Sequence, residues 1–263
     1  MISRRYIEEW KEFAPWPDDA QVEQDLVIER ALVEIFSNEF LAERLAFRGG
    51  TALHKLYLKP QARYSEDIDL VQIKAGPIGE ILDHLRSVLK FIPGKASFDK
   101  GDQMITLRYR FDSEIAPVIS LRLKVETNCR EHFTVLDFKK MEFKVTSGWN
   151  KGECNITTYK IEELLGTKLR ALYQRSKGRD LFDLYWAYQH HKIDTKKLLL
   201  CYHEYMKFSV ENPPSQKEFI LNMEEKMRDR DFTEDIHVIL RPGIEYDNQK
   251  AYEFIKKELL EKL

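Results

Sequence analysis

Phe47-Arg48-Gly49-Gly50-Thr51-Ala52-Leu53-His54-Lys55, followed shortly by Arg63-Tyr64-Ser65-Glu66-Asp67-Ile68-Asp69-Leu70, is the stretch from which the rest of the chain can be read. Ile68, Leu70 and Val71 around Asp67 and Asp69 predict a short strand, on which side chains two apart point to the same face. The two carboxylates can then share one ion. Mg²⁺ takes oxygen ligands and is usually held by one or two carboxylates together with substrate phosphates, which is what an Asp-x-Asp strand supplies. Gly49-Gly50 follows the apolar approach Leu45, Ala46, Phe47 and precedes the helical run Ala52, Leu53, Leu56, so a turn with free backbone N–H groups is expected there. Phosphate oxygens are the natural partners of such groups. Lys55, one helical turn past Thr51, can reach a phosphate or cap a surface helix. Ser65 can line a nucleotide pocket or serve only as a turn residue.

A Gly-Gly pair alone is usually an ordinary turn, and an Asp-x-Asp pair alone is usually a solvated strand face. Together, in this order and at this short separation, they are far less often accidental. The layout resembles the nucleotidyltransferase superfamily, in which a Gly-Gly or Gly-Ser turn precedes an Asp-x-Asp strand. Gly49-Gly50-Thr51-Ala52-Leu53 and Ser65-Glu66-Asp67-Ile68-Asp69-Leu70 more narrowly resemble the AbiEii/MenT-like toxin branch. The resemblance implies that Asp67 and Asp69 are catalytic and bind Mg²⁺, and Gly49, Gly50, Thr51, Lys55 and Ser65 are the candidate nucleotide-binding residues beside them. It also makes modification of Ser65 a regulatory expectation.

At 263 residues the chain can bury a substantial core, and two lobes are expected. A hydrophobic content of 43% with 33% charged residues describes an ordinary globular protein, and no apolar run is long enough to span a bilayer. The N-terminal stretch runs straight into Glu8, Glu9 and Lys11 without the apolar core of a signal peptide, so a cytoplasmic setting is expected. Cys129, Cys154 and Cys201 fit neither a disulfide framework nor a zinc site. A net charge of -2 argues against indiscriminate coating of nucleic acid but leaves room for a local basic patch.

Residues 1–45 read as helical with a break at Pro15-Trp16-Pro17 and an N-cap at Asp18 or Asp19. Val22, Leu26, Val27, Ala31, Leu32, Ile35 and Phe36 form one apolar face. A helix is expected from about Ile78 to Phe91. Strands follow at Ala96–Asp99, Met104–Phe111, Val118–Glu126 and Phe133–Phe138, with a turn at Gly101-Asp102. From Tyr159 the period is helical to the end, which places a lobe boundary near residues 147–158, the lobes being taken as 1–150 and 151–263 with the division at about residue 150. The fold class expected is therefore α+β, a nucleotidyltransferase-type core with a small mixed sheet and a C-terminal helical lobe.

A second block lies in that helical part. Lys168, Leu172 and Arg175 share one helical stripe, and Asp180 and Asp183 share another, so two antiparallel helices joined at Lys177-Gly178 would bring these charges together. Read alone, the set is equally an inter-helix salt-bridge network. Thr167-Lys168-Leu169-x-Ala171 through Arg179-Asp180-Leu181-x-Asp183-Leu184-Tyr185 resembles the second block of the same family, so the similarity frames residues 25–190. By that resemblance Lys168 is the catalytic lysine, Asp180 or Asp183 the later catalytic aspartate, and Arg175 a nucleotide-binding residue. Glu126 is the best candidate for a third metal-linked carboxylate, with a solvated strand end as its alternative. The activity implied is transfer of a nucleotide from a nucleoside triphosphate to the 3′ end of tRNA, with release of pyrophosphate, by the toxin of a toxin–antitoxin pair with a cognate antitoxin. Modification of a protein hydroxyl, and a nucleotide-binding scaffold without catalysis, are the alternatives. Modest basic stripes at Arg108, Arg110, Arg122 and Lys124, and at Lys168–Arg179, permit an RNA acceptor without requiring one.

Overall fold

After α1 (Arg4–Trp10) and the proline break, the Asp18 carboxylate accepts from the Ala20 N–H at 2.9 Å and starts α2 (Asp19–Ser37). The expected face of α2 is buried throughout, and so are Glu23, Asp25 and Glu29, which apolar spacing does not announce. Asn38 caps the one-turn α3 (Glu39–Ala42). β1 (Leu45–Arg48) then turns at Gly49 into α4 (Gly49–Ala52), which passes directly into a π-helical turn, Leu53–Tyr57. β2 (Asp67–Gln72), α5 (Gly79–Val88), β3 (Ser97–Lys100), β4 (Met104–Asp112), β5 (Ser120–Asn128), β6 (Phe138–Thr146) and β7 (Lys151–Tyr159) follow. This computed structural model describes residues 2–101 and 103–263, so the turn expected at Gly101-Asp102 lies partly outside the described residues.

The strands form one mixed sheet of seven in the order β3-β4-β5-β2-β1-β7-β6. β2 runs parallel to β5 and β1 parallel to β7, while the other pairs are antiparallel. Ile105, Leu107, Tyr109 and Phe111 on β4 and Leu121, Leu123 and Val125 on β5 are buried. Each such side chain contributes roughly 1.5–3 kcal/mol on leaving water. The alternate positions carry the arginines and lysines, and α2 packs against β5, β6 and β7.

Three expectations need correction. The sheet is larger than expected, because β1 is only four residues and β7, Lys151–Tyr159, is polar over its first half. That strand also moves the boundary from about residue 150 to just after Tyr159, since Lys151–Tyr159 pairs along its length with β6. Phe133–Phe138 is not a strand: the Val135 and Leu136 N–H groups donate to the Glu163 carboxylate at 2.8 and 2.9 Å, and β6 begins only at Phe138.

The chain divides into two compact units, the second comprising Thr134–Asp137 and Lys160–Leu263. Its helices are α6 (Ile161–Gln174), α7 (Gly178–His190), α8 (Thr195–Ser209), α9 (Gln216–Lys226), α10 (Arg230–Glu234) and α11 (Asn248–Glu258). Glu163 is a buried hub that also accepts from the Thr134 and Tyr205 hydroxyls. Lys226 closes the C-terminus of α6 by donating to the Leu172 and Tyr173 carbonyls, and burial brings its pKa down to about 8.

Candidate active site

Register places the carboxylates. Asp69 on β2 lies opposite Arg48 on β1 and opposite Glu126 on β5, and Asp67 lies opposite Lys124. Cross-strand partners share a face, so Asp67, Asp69 and Glu126 stand on one side of the sheet. Glu126 accepts from the Lys124 ammonium at 2.9 Å and from the Thr106 hydroxyl at 3.2 Å. It is therefore a held, half-buried carboxylate beside the pair rather than a solvated strand end.

Burial first, and the neighbouring Asp69 second, push the Asp67 carboxyl up to about 6. Two half-buried carboxylates side by side, one of them raised by burial and by the other's charge, are a fit for a divalent cation. Among the described residues no three His, Cys, Asp or Glu side chains converge as a metal cage. Two carboxylates completed by substrate oxygens suit Mg²⁺ better than a zinc or calcium cage does.

Gly49 joins this pair to the turn. Its φ is +81°, where side chains are strained, and a Cβ built on it would overlap the Asp69 carboxylate. The glycine is thus required twice at one position. The Thr51 hydroxyl is buried; it donates to the Asp67 carbonyl at 2.5 Å and lies 2.8 Å from the Ser65 hydroxyl. These bonds fasten the glycine turn to the aspartate strand, so Thr51 and Ser65 are placed at the site by their side chains' mutual contact. Arg48 is held by an ion pair with the buried Glu131, and burial is outweighed by Glu131 so that its guanidinium is kept firmly charged.

Lys55 is elsewhere. Its ammonium is 1% exposed and lies 3.0 Å from Asp25 and 2.6 Å from Glu29, both on α2, and so is not offered to a phosphate. Burial alone would lower the Lys55 pKa, but the two carboxylates raise it. The sequence expectation of a nucleotide contact is corrected to that of a clamp, which anchors the helical turn behind Gly49-Gly50 to α2. Replacing Lys55 with Met leaves two buried carboxylates without their cation and is expected to cost about 3 kcal/mol in urea unfolding, with the affinity for nucleotide little changed. A phosphate contact would give the reverse pattern.

In the helical unit, Lys168, Arg175, Asp180 and Asp183 do come together. The Lys168 ammonium lies 2.9 Å from Asp180 and 3.0 Å from Asp183, and Arg175 makes a two-pronged contact with Asp180 at 2.7 and 2.9 Å. Both aspartates are fully buried. Burial would raise the Asp180 pKa, but Lys168 and Arg175 outweigh it and hold the carboxyl below its usual range.

A mixed sheet bearing an Asp-x-Asp strand against a glycine turn, followed by a helical unit, is a nucleotidyltransferase architecture. The family model for the nucleotidyl transferase AbiEii toxin of type IV toxin–antitoxin systems matches residues 30–260, and the chain belongs to that family. It is accordingly a nucleotidyltransferase toxin, with a nucleoside triphosphate as substrate and an antitoxin as counterpart. MenT4, a nucleotidyltransferase toxin from Mycobacterium tuberculosis H37Rv, shares the fold with a TM-score of 0.71 at 18% identity, over 100% of this chain and 91% of that one. JHP933 from Helicobacter pylori aligns with a TM-score of 0.52 at 18% identity, over 93% of this chain and 95% of that one. No protein of curated function matches the chain in sequence.

The Asp67 pKa gives a prediction that does not depend on turnover. A divalent cation must compete with a proton below pH about 6, so the rise in melting temperature on adding Mg²⁺ is expected to be larger at about pH 7.5 than at about pH 5, and to vanish in Asp67→Asn. Without metal the sign is opposite. Between the ordinary value of 3.8 and about 6 the folded state binds more protons than the unfolded one, so this group's contribution to stability falls as pH rises.

Proposed function

We propose that the protein is a Mg²⁺-dependent nucleotidyltransferase that moves a nucleotide from a nucleoside triphosphate to the 3′ hydroxyl of tRNA, releasing pyrophosphate. The observation that carries this reading is the Asp67/Asp69 pair, in register with Glu126 and set against the Gly49 turn. In the reaction the 3′ oxygen bonds to the α-phosphorus while the bond from that phosphorus to the α,β-bridging oxygen breaks. Asp67 and Asp69 would hold the ion, which when bound would neutralise charge on the phosphates. Backbone N–H groups at Gly49, Gly50 and Thr51 receive phosphate oxygens, with Ser65 beside them. Glu126 orients the attacking hydroxyl and receives its proton.

Lys168 is kept as the cation proposed for the departing pyrophosphate, and Arg175 as a proposed nucleotide contact, on the family resemblance of their block alone. Asp180 and Asp183, buried and ion-paired, are better suited to hold Lys168 in place than to take up a proton. The proposed setting is the cytoplasm, where triphosphates and tRNA coexist. Separately, no helix among the described residues is long and apolar enough to cross a membrane.

The acceptor is tested with an α-labelled triphosphate, purified tRNA, and the same tRNA oxidised with periodate at its terminal diol. Label on intact tRNA and none on oxidised tRNA is the expected result. Equal labelling of both, or label resistant to ribonuclease and lost on proteolysis, would move the acceptor to another hydroxyl.

A further inference from the structure

The face that carries Asp67 and Asp69 is cationic on its β4–β5 side. Arg108 lies opposite Lys124, and Arg110 lies opposite Arg122. Since alternate positions recur on one face and cross-strand partners share it, all four stand on the face of Asp67, Asp69 and Glu126. Like charges set directly opposite one another destabilise an antiparallel pair. For the inner couple the sheet supplies acids: Asp99 lies 3.2 Å from Arg108, and Glu126 lies 2.9 Å from Lys124.

The outer couple is different. Arg110 and Arg122 are exposed, and neither has an ion-pair partner among the described residues. Asp112, the next residue along the same face of β4, stands opposite Ser120 and not opposite either arginine. The chain carries a net charge of -2, so this concentration of positive charge is local and not a by-product of a basic protein. An uncompensated arginine pair that works against the sheet is suited to an anion from outside.

Its position says which kind. Arg122 precedes Glu126 by four residues on β5, about 13 Å along the strand, with Lys124 midway. A triphosphate seated at the Gly49 turn would not extend along this row as well. A chain of phosphates leading to the Asp67/Asp69 pair would.

We propose that Arg110 and Arg122 bind backbone phosphates of the RNA acceptor a few nucleotides before the reacting 3′ end, so that the strand approaches the carboxylates along β4 and β5. This rests on the reading of the acceptor as RNA. Arginine at such positions adds affinity and salt dependence without reading sequence.

The test measures binding of a fluorescent single-stranded RNA to the full chain across a range of salt, comparing wild type with Arg110→Glu/Arg122→Glu, with Arg110→Gln/Arg122→Gln, and with Lys196→Glu on α8 as a control. The charge reversal is expected to weaken binding at least about tenfold at low salt, and loss of two phosphate contacts should reduce the slope of log affinity against log salt by about 1.4. The glutamine pair should also bind more weakly while melting no lower than wild type, because it relieves repulsion. A structural role would instead lower its melting temperature. Lys196→Glu should bind like wild type. Wild-type binding retained in both arginine variants would overturn the assignment of these residues while leaving the RNA reading intact. A wild type that labels protein and binds no RNA would overturn the acceptor itself, and with it this inference.

Discussion

Gly49→Ala is expected to lower nucleotide transfer by at least about 100-fold. The methyl group would occupy the position of the Asp69 carboxylate, and the backbone at φ +81° resists any side chain. Relief requires either Asp69 to swing away or the turn to open, and both separate the carboxylate from the turn. Displacing a reacting group by about 1 Å costs on the order of 100-fold in rate, and here two elements move at once, so a loss of at least about 100-fold is expected in steady-state transfer. Gly50 lies within the helical turn α4, and its substitution by Ala should be milder. Equal losses at the two positions would mean that the overlap at Gly49 is not what matters.

Asp180→Ala is expected to have the largest effect on folding. Asp180 is fully buried and accepts from both Lys168 and Arg175. Removing it takes one of two carboxylates from a nearly buried ammonium and the two-pronged contact from a half-exposed guanidinium. Deleting one member of such a buried network costs about 3–5 kcal/mol, a large part of the stability of an ordinary domain. Chemical unfolding followed by circular dichroism should show it. Because the Asp180 carboxyl is held below its usual range, it contributes stability at neutral pH that is lost as acid protonates it, so wild type and variant should converge in stability at low pH. A variant as stable as wild type would mean that the charges are solvated and available, and would favour Asp180 as a proton acceptor.

The sequence was most informative where the determinants are local. The Asp-x-Asp strand, the Asp18 cap and the buried face of α2 follow from spacing of two or about four residues, and the structure has them. Pairings across long separations were not legible. Arg48 meets Glu131 across 83 positions, and Lys55 meets Glu29 and Asp25 across 26 and 30, with no periodicity linking either set. Lys55 looked like a phosphate ligand because charge at one helical turn past a glycine pair is all a sequence displays; its two acids lie on a helix already explained by apolar spacing. Glu126 was visible as a strand end, but only register shows that it stands opposite Asp69. β7 is not legible because its first half is polar and exposed, and Phe133–Phe138 reads as a strand because nothing in the sequence shows that a distant side chain, Glu163, satisfies the Val135 and Leu136 backbone.

Asp67 and Asp69 are proposed to support metal-dependent transfer of a nucleotide. The most direct measurement presents each of the four α-labelled nucleoside triphosphates, with and without Mg²⁺, to total tRNA and total protein, using wild type and Asp69→Ala. Label that requires Mg²⁺, resides on RNA, comes from one or more triphosphates and disappears in Asp69→Ala is the predicted result. Transfer that persists in a folded Asp69→Ala protein, or that proceeds equally well in chelator, would contradict it.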